Sequence, residues 1–530
     1  MENNILESLR IFKSSQKAFN SKIPYYQNLE VDSTNIYTNV GVIGGGLAGY
    51  LTAIAFKKFF NIPVTVIESP NIPIIGVGEA TTPILHDYLF DILELDREEF
   101  FREVEPTWKL GIKFFWGKPG DYTFNYPFDS KDILSSLHHN GDIDHCSLNS
   151  LLMTNKSSFL MRFSENDNVR FESLDKHLKY AYHLDNKKFV AYLKRKAEQC
   201  GVNFINTEVQ HAQLKNDKLE IDHLIDLAGN KHYYDFFIDC SGFRSLLLEK
   251  TLKSKYVSFS DSLYNDKAIV TKINNDTLNC YTLAETMDNG WCWTIPTRGE
   301  DHLGYVYSSS FCTEDQAIEE ILRKKPGTSK DIQSISFRSG RHEEFIIGNT
   351  AAIGNSYSFV EPLESTGVHM IIQEVIILMN NFINLKGNKT LISFINRDMN
   401  AHWDYIRWFL SIHFKFNNKS NTAYWRESRA NVDVSGFQNL INLYKEIGFL
   451  SYQDIPLREI LKYHIHDQIF DVYGIDHILA GQGILPNSIQ KISLENSREW
   501  QEILKSWRHI VSHTIPVNGD LSLLLDQKLL

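Results

Sequence analysis

Short unbroken apolar runs, stretches of helical periodicity and one alternating segment lay out the elements of this chain. Val40-Gly41-Val42-Ile43 is apolar throughout and ends in glycine, as a strand buried on both faces does. Tyr50 to Phe60 reads as a helix, and Pro63-Val64-Thr65-Val66-Ile67 as a second strand ending in Glu68. Two later runs repeat the order of strand then turn. Phe236-Phe237-Ile238 leads into Asp239-Cys240-Ser241-Gly242, and Ala351-Ala352-Ile353 leads into Gly354-Asn355-Ser356. The sheet is therefore predicted to be discontinuous, with other segments inserted between its strands. Trp291-Cys292-Trp293-Thr294-Ile295-Pro296 follows a period of two: a strand there aims both indoles and Ile295 at one face, and Pro296 stops the ladder. Lys109 and Lys113 are predicted on one face of a single strand. The most apolar helical stretch is Val368 to Ile383, and beyond about residue 380 the pattern stays helical and turns aromatic, as in His402-Trp403-Asp404-Tyr405-Ile406-Arg407-Trp408-Phe409. Ile5, Leu9 and Phe12 form a candidate helical stripe in an N-terminal extension. The expected division is an extension over 1–36, a discontinuous nucleotide-binding module over 37–385 and a mainly helical module over 386–530.

Composition narrows the class. A chain of 530 residues buries a large core and is expected to form more than one lobe. A net charge of −11 argues against nucleic acid or an anionic membrane as partner. Six cysteines with no C-x-x-C pair suggest neither a disulfide framework nor a zinc site, so a reducing cytoplasm is the expected setting. The N-terminus has no basic region followed by an apolar stretch, and Val368 to Ile383, carrying Gln373 and Glu374, is expected to fall short of a membrane span. His138, His139, Asp142, Asp144, His145 and Cys146 fit no zinc spacing and read as a polar loop.

Gly44, Gly46 and Gly49 form G-x-G-x-x-G between the first strand and its helix. The first glycine permits the tight turn, the second lets backbone approach a pyrophosphate, and the third lets helix pack closely on strand. Leu47 and Ala48, in the same turn, are candidate cofactor contacts, the helix N-terminus that follows would face the phosphate charge, and Glu68 would reach a ribose hydroxyl.

Three further segments carry candidate chemistry. Ile75-Gly76-Val77-Gly78-Glu79-Ala80-Thr81-Thr82-Pro83 is followed by Lys109-Leu110-Gly111-Ile112-Lys113-Phe114, with the apolar Phe115 and Trp116 beside it. Phe359-Val360-Glu361-Pro362-Leu363-Glu364-Ser365-Thr366-Gly367 precedes a helix, whose unpaired amides suit an anion. An ordinary cap by Ser365 or Thr366, with Glu361 and Glu364 on the surface, is the alternative there. Together with W-x-W-x-I-P, these segments resemble the flavin-dependent halogenases of the tryptophan halogenase family, from about Val40 to Pro486.

The resemblance implies an α/β fold with a two-dinucleotide-binding flavoprotein core and a mainly helical substrate lobe. It implies FAD as cofactor, used as FADH2, because no second glycine fingerprint offers a nicotinamide site and Ala351 to Ser356 resembles the segment closing over the ribityl chain. Reduced flavin would come from a separate NAD(P)H-dependent reductase. Besides the fingerprint, the implied cofactor contacts are Gly78, Glu79, Ala80, Val209, Gly242 and Gly354. Lys109 and Glu364 would be catalytic, chloride or bromide would bind at Thr366-Gly367, and Trp291, Trp293, Ile295 and Pro296 would keep substrate from the flavin. Phe128 and Phe359 are implied substrate contacts, and Lys113 is structural. Lys109 would present electrophilic halogen to the ring either as an ammonium holding hypohalous acid or as a halogenated neutral amine. The implied substrate is an indole, phenol or pyrrole, free or tethered to a carrier or peptide. Phe470 to His477 lacks the aromatic pattern of members acting on free tryptophan, although Gly481-Gln482-Gly483-Ile484-Leu485-Pro486 keeps the family's ending. Two rivals remain: an aromatic hydroxylase of the same fold, and a flavin-binding subunit without turnover. A homodimer is one option for assembly.

Overall fold

The computed structural model describes residues 36–72, 78–128, 146–165, 168–216, 219–452, 468–487 and 494–526. The apolar stripe at Ile5, Leu9 and Phe12, the Gly76-Val77 step and the loop from His138 to His145 lie outside the described residues.

The apolar run Val40–Ile43 is a strand with every residue buried, near the centre of a six-stranded sheet. Its parallel neighbours come from far apart in the chain: Val64–Glu68 on one side and Phe236–Asp239 on the other. Asn203–Asn206 and Thr350–Ala352 extend the parallel set, and Ile346–Ile347 closes it antiparallel. The helix Leu47–Phe60 packs against Asn186–Gln199 and Thr366–Asn381, which is why it is apolar on nearly every side. The Thr366–Asn384 stretch has the length and hydropathy of a membrane span, against expectation. In this fold, however, 61% of it is buried inside the protein, so its apolarity is that of a core helix.

A second, seven-stranded sheet runs in the order Gln333–Ser336, Lys267–Asn274, Glu300–Tyr307, Gly290–Pro296, Thr282–Met287, Gly111–Phe115, Phe124–Pro127. The alternation in Gly290–Pro296 works as expected. Trp291, Trp293 and Ile295 join the main core, while Cys292 points to a separate cluster with Ile269, Leu303, Tyr305 and Ile321. Both faces are covered, so the strand is interior.

The expected single strand through Lys109 and Lys113 is instead two. Thr107–Lys109 pairs with Ala181–Asp185 in a small sheet that also holds Gly78–Ala80, while Gly111–Phe115 belongs to the seven-stranded sheet. The chain changes sheets at Leu110, whose N–H donates to Cys280 O (2.7 Å) and whose carbonyl accepts from Phe128 N (2.9 Å). Lys113 is thereby separated from Lys109; its Nζ donates to Asn125 Oδ1 (3.3 Å).

At the glycine turn, a Cβ on Gly49 would lie 1.9 Å from the carbonyl oxygen of Gly44. Gly49→Ala is expected to cost about 1–3 kcal/mol through overpacking, seen as a lower thermal midpoint.

Candidate active site

The parallel strands end together in a row of turns, the place where open α/β sheets bind ligands. Gly44 has φ +121°, and a Cβ there would lie 2.2 Å from Cys240 O, so the turn runs against the end of the neighbouring strand. A Cβ on Gly46 would meet nothing within 4 Å. The helix that Gly46 opens, starting at Leu47 and Ala48, has no side-chain cap and no acid in its first turn, so its leading amides are left for a ligand. Gly242 (φ +63°) and Gly354 (φ +68°) begin short 3-10 turns just after the next two strands. Gly242 also has open space where a Cβ would stand, and these openings beside bare amides fit a dinucleotide. Glu68 accepts from Tyr50 Oη and Lys194 Nζ, each at 2.5 Å, and keeps further lone pairs for a hydroxyl. Val209 packs with Ile43 and Ile67 near the same strand ends. Beneath Gly354 lies an acid that sequence reasoning missed: fully buried Glu374 accepts from Gly354 N (2.6 Å) and Trp403 Nε1 (3.1 Å), and burial pushes it up to about 8.

Lys109 has no exposed surface. Its Nζ donates to Thr81 O (2.9 Å) and Ser365 Oγ (2.6 Å), and it lies 5.1 Å from the centroid of Phe128. Burial pushes the ammonium down to about 7, while Glu364 and Glu79 pull the other way. Glu79, in the strand Gly78–Ala80, is raised by burial to about 7 against the pull of Lys109. Burial also raises Glu364, whose Oε1 lies 2.8 Å from His413 Nε2. Neither glutamate of E-P-L-E is on the surface; Glu361 and Glu364 are both buried. The cap alternative fails as well. Ser365 adopts φ +58° and its hydroxyl serves Lys109, so the helix Thr366–Asn381 begins with no side-chain cap. Its amides are free to hold an anion, with Thr366 buried and open space beside Gly367. Thr82 Oγ1, 2.8 Å from His369 Nδ1, ties the loop after Gly78–Ala80 to the first turn of that helix.

The two indoles lie side by side, 5.8 Å between centroids. Trp291 Nε1 donates to Glu361 Oε2 (2.6 Å), which also accepts from Asn265 Nδ2 (2.7 Å); burial pushes this carboxyl up to about 7. Pro296 closes the strand, its carbonyl accepting from Thr107 Oγ1 (2.7 Å), two residues before Lys109. Phe359 is not brought to this centre. It packs on Phe243 and Phe337 in a separate pocket of about 260 Å³ that Lys109 and Glu364 do not line. Among the described residues no three His, Cys, Asp or Glu side chains are grouped as metal ligands.

Sequence reasoning also missed His413 and the partnership of Glu361 with Trp291. The only available signal was polarity inside an apolar segment. Trp291→Phe keeps an aromatic ring but removes a donor from a buried carboxyl, and is expected to cost about 1–3 kcal/mol in urea denaturation.

Known proteins resemble this chain over most of its length. The tryptophan halogenase family model matches residues 39–496. Tryptophan 7-halogenase RebH of Lentzea aerocolonigenes is 31% identical over 487 residues, covering 84% of this chain and 90% of its own length. Among solved structures, MibH, a lathipeptide tryptophan 5-halogenase, superposes with a TM-score of 0.87 at 36% identity, over 94% of this chain and 95% of its own. BrvH, a flavin-dependent halogenase from Brevundimonas sp. BAL3, gives a TM-score of 0.80 at 25% identity, covering 92% and 99%. Matched along nearly its whole described length, the chain belongs to the tryptophan halogenase family and is a flavin-dependent halogenase.

Proposed function

We propose that this enzyme halogenates the indole of a tryptophan carried on a peptide or comparably large molecule, with Lys109 acting as a neutral amine. The observation that carries the amine is its hydrogen bonding. An amine has two N–H donors, and Nζ has two acceptors, Thr81 O and Ser365 Oγ; the remaining lone pair is then free. Burial that brings the group down to about 7 makes this form abundant at neutral pH.

FAD in its reduced form, delivered by a separate NAD(P)H-dependent reductase, supplies with oxygen the oxidising power that turns chloride or bromide into electrophilic halogen. The chain's own residues do the rest. The amides at Gly46, Leu47 and Ala48 hold the pyrophosphate with Glu68 on the ribose, and Gly78, Glu79, Ala80, Val209, Gly242 and Gly354 line the cofactor. The start of the helix at Thr366 and Gly367 holds halide. Trp291, Trp293, Ile295 and Pro296 form a wall between flavin and substrate, Phe128 lies against the ring, Lys109 presents the halogen, and Glu364 accepts the proton the ring loses.

A peptide-borne substrate is supported by the departure from the free-tryptophan pattern at Phe470 to His477, and by the likeness to MibH, a lathipeptide tryptophan 5-halogenase. In that segment Phe470 stacks on Phe409 with centroids 3.9 Å apart, closing space with an apolar pair. Six cysteines scattered along the chain with no C-x-x-C pair support a cytoplasmic setting.

Lys109→Ala is expected to keep FAD bound and abolish halogenated product by mass spectrometry; unchanged halogenation sinks the assignment. Glu364→Gln should slow turnover roughly 10²-fold or more. Product formation from pre-reduced enzyme should rise as pH climbs through about 7, because lowering a lysine's pKa to that value makes the amine the major form above it; a fall over the same range would assign the ammonium instead. A tryptophan-containing peptide should be converted with higher kcat/KM than free tryptophan, and the reverse order would refute the substrate class.

A further inference from the structure

Glu364 faces two ways. Its Oε1 is taken by His413 Nε2 at 2.8 Å, which leaves Oε2 as the oxygen to face a substrate. The other nitrogen of His413, Nδ1, is 2.9 Å from the carbonyl oxygen of Phe409. A carbonyl only accepts, so Nδ1 carries a hydrogen and the ring's choice of protonation lies entirely at Nε2. One proton is therefore shared between Glu364 Oε1 and His413 Nε2, either as acid and neutral imidazole or as carboxylate and imidazolium.

His413 has no exposed surface and Glu364 has 2%. Phe114 and Phe409 lie against the imidazole, at 5.5 and 5.3 Å between centroids. The other titratable groups facing the pair are Lys109 and Tyr126. The pair is closed off from water, and a proton taken up on one side of Glu364 can leave to His413 Nε2 on the other. A neutral carboxylic acid is a poor base, and the proposed role of Glu364 requires it to take a proton.

We propose that His413 is a positioning residue that makes Glu364 a competent base by taking over its proton; this rests on Glu364 being the group that deprotonates the ring. When the halogenated ring cation collapses, its C–H bond breaks and the electron pair returns to the ring. The proton goes to Glu364 Oε2, and the Oε1–H bond breaks as that proton passes to His413 Nε2. Glu364 stays neutral throughout, and the single positive charge moves from the ring to the imidazole. The Phe409 carbonyl, already on Nδ1–H, stabilises the imidazolium that forms. The proton returns through Glu364 to solvent once product has left.

The test uses full-length, FAD-loaded enzyme and His413→Gln, which keeps a polar group toward Glu364 but cannot accept the second proton. Product formation is compared for the same tryptophan-containing peptide with protium or deuterium on the indole ring. Flavin content, flavin oxidation and hypohalous acid released to a chemical trap are measured beside it. The variant should form product roughly 10²-fold more slowly and show a primary isotope effect larger than that of the wild type, with flavin oxidation and trapped oxidant unchanged. Equal isotope effects in variant and wild type would overturn the relay, leaving His413 a packing residue. If His413→Gln does not bind flavin, His413→Asn is read in the same way. Glu364→Gln separates the two claims: retained halogenation there refutes the base, whereas lost halogenation with no isotope effect in the His413 variants refutes the relay alone.

Discussion

Keeping a lysine amine out of water is the constraint on which the rest of this centre depends. Each unit of pKa shift is worth about 1.4 kcal/mol, so moving Lys109 from 10.5 to about 7 is a substantial cost to folding. It is offset locally by two acceptors from opposite sides, the Thr81 carbonyl and the Ser365 hydroxyl. Holding Ser365 there requires φ +58°, an uncommon conformation for a residue with a side chain. The same strain withholds a serine cap from the helix at Thr366 and leaves its amides bare. The proposed halide cradle and the lysine environment are thus two results of one backbone decision.

The loop around Ser365 also ties the layers of the protein together. Glu361 takes the indole N–H of Trp291 from the seven-stranded sheet, and Glu364 meets His413 on the long helix Lys389–Phe416. Both acids are buried among apolar groups, and burial raises both. A protein selected for stability alone has little reason to bury Lys109 within reach of the carboxyls of Glu364 and Glu79. Their joint burial is understandable where a proton must be moved in a place that water does not enter.

Much of this was legible in the sequence where the constraint is local. The glycine turn is an example: Gly44 needs a left-handed φ and Gly49 has no room for a Cβ, and both demands leave a spacing of glycines. The indole pair was legible because strand alternation alone puts Trp291 and Trp293 on one face. What could not be read depends on distant partners. The change of sheets at Leu110 leaves no mark, since apolar alternation continues across it while the partners of Lys109 and Lys113 come from different sheets. Ser365 has the residue type of a cap, and only the fold brings it to Lys109 across 256 positions. His413 follows Phe409 by one helical turn and looks like any core histidine until Glu364 arrives from 49 residues away. Phe359 opens the same motif, yet the strand Ser358–Phe359 places it in another pocket with Phe243 and Phe337.

The most direct test of the central claim is the protonation state of one nitrogen. Enzyme labelled with 15N at lysine side chains and loaded with FAD would be titrated by NMR, with Lys109→Met identifying the resonance of Nζ. A Lys109 signal that moves from the ammonium to the amine shift with a midpoint close to 7 is the predicted result. A signal that keeps the ammonium shift up to the ordinary lysine range would contradict a buried amine as the carrier of halogen.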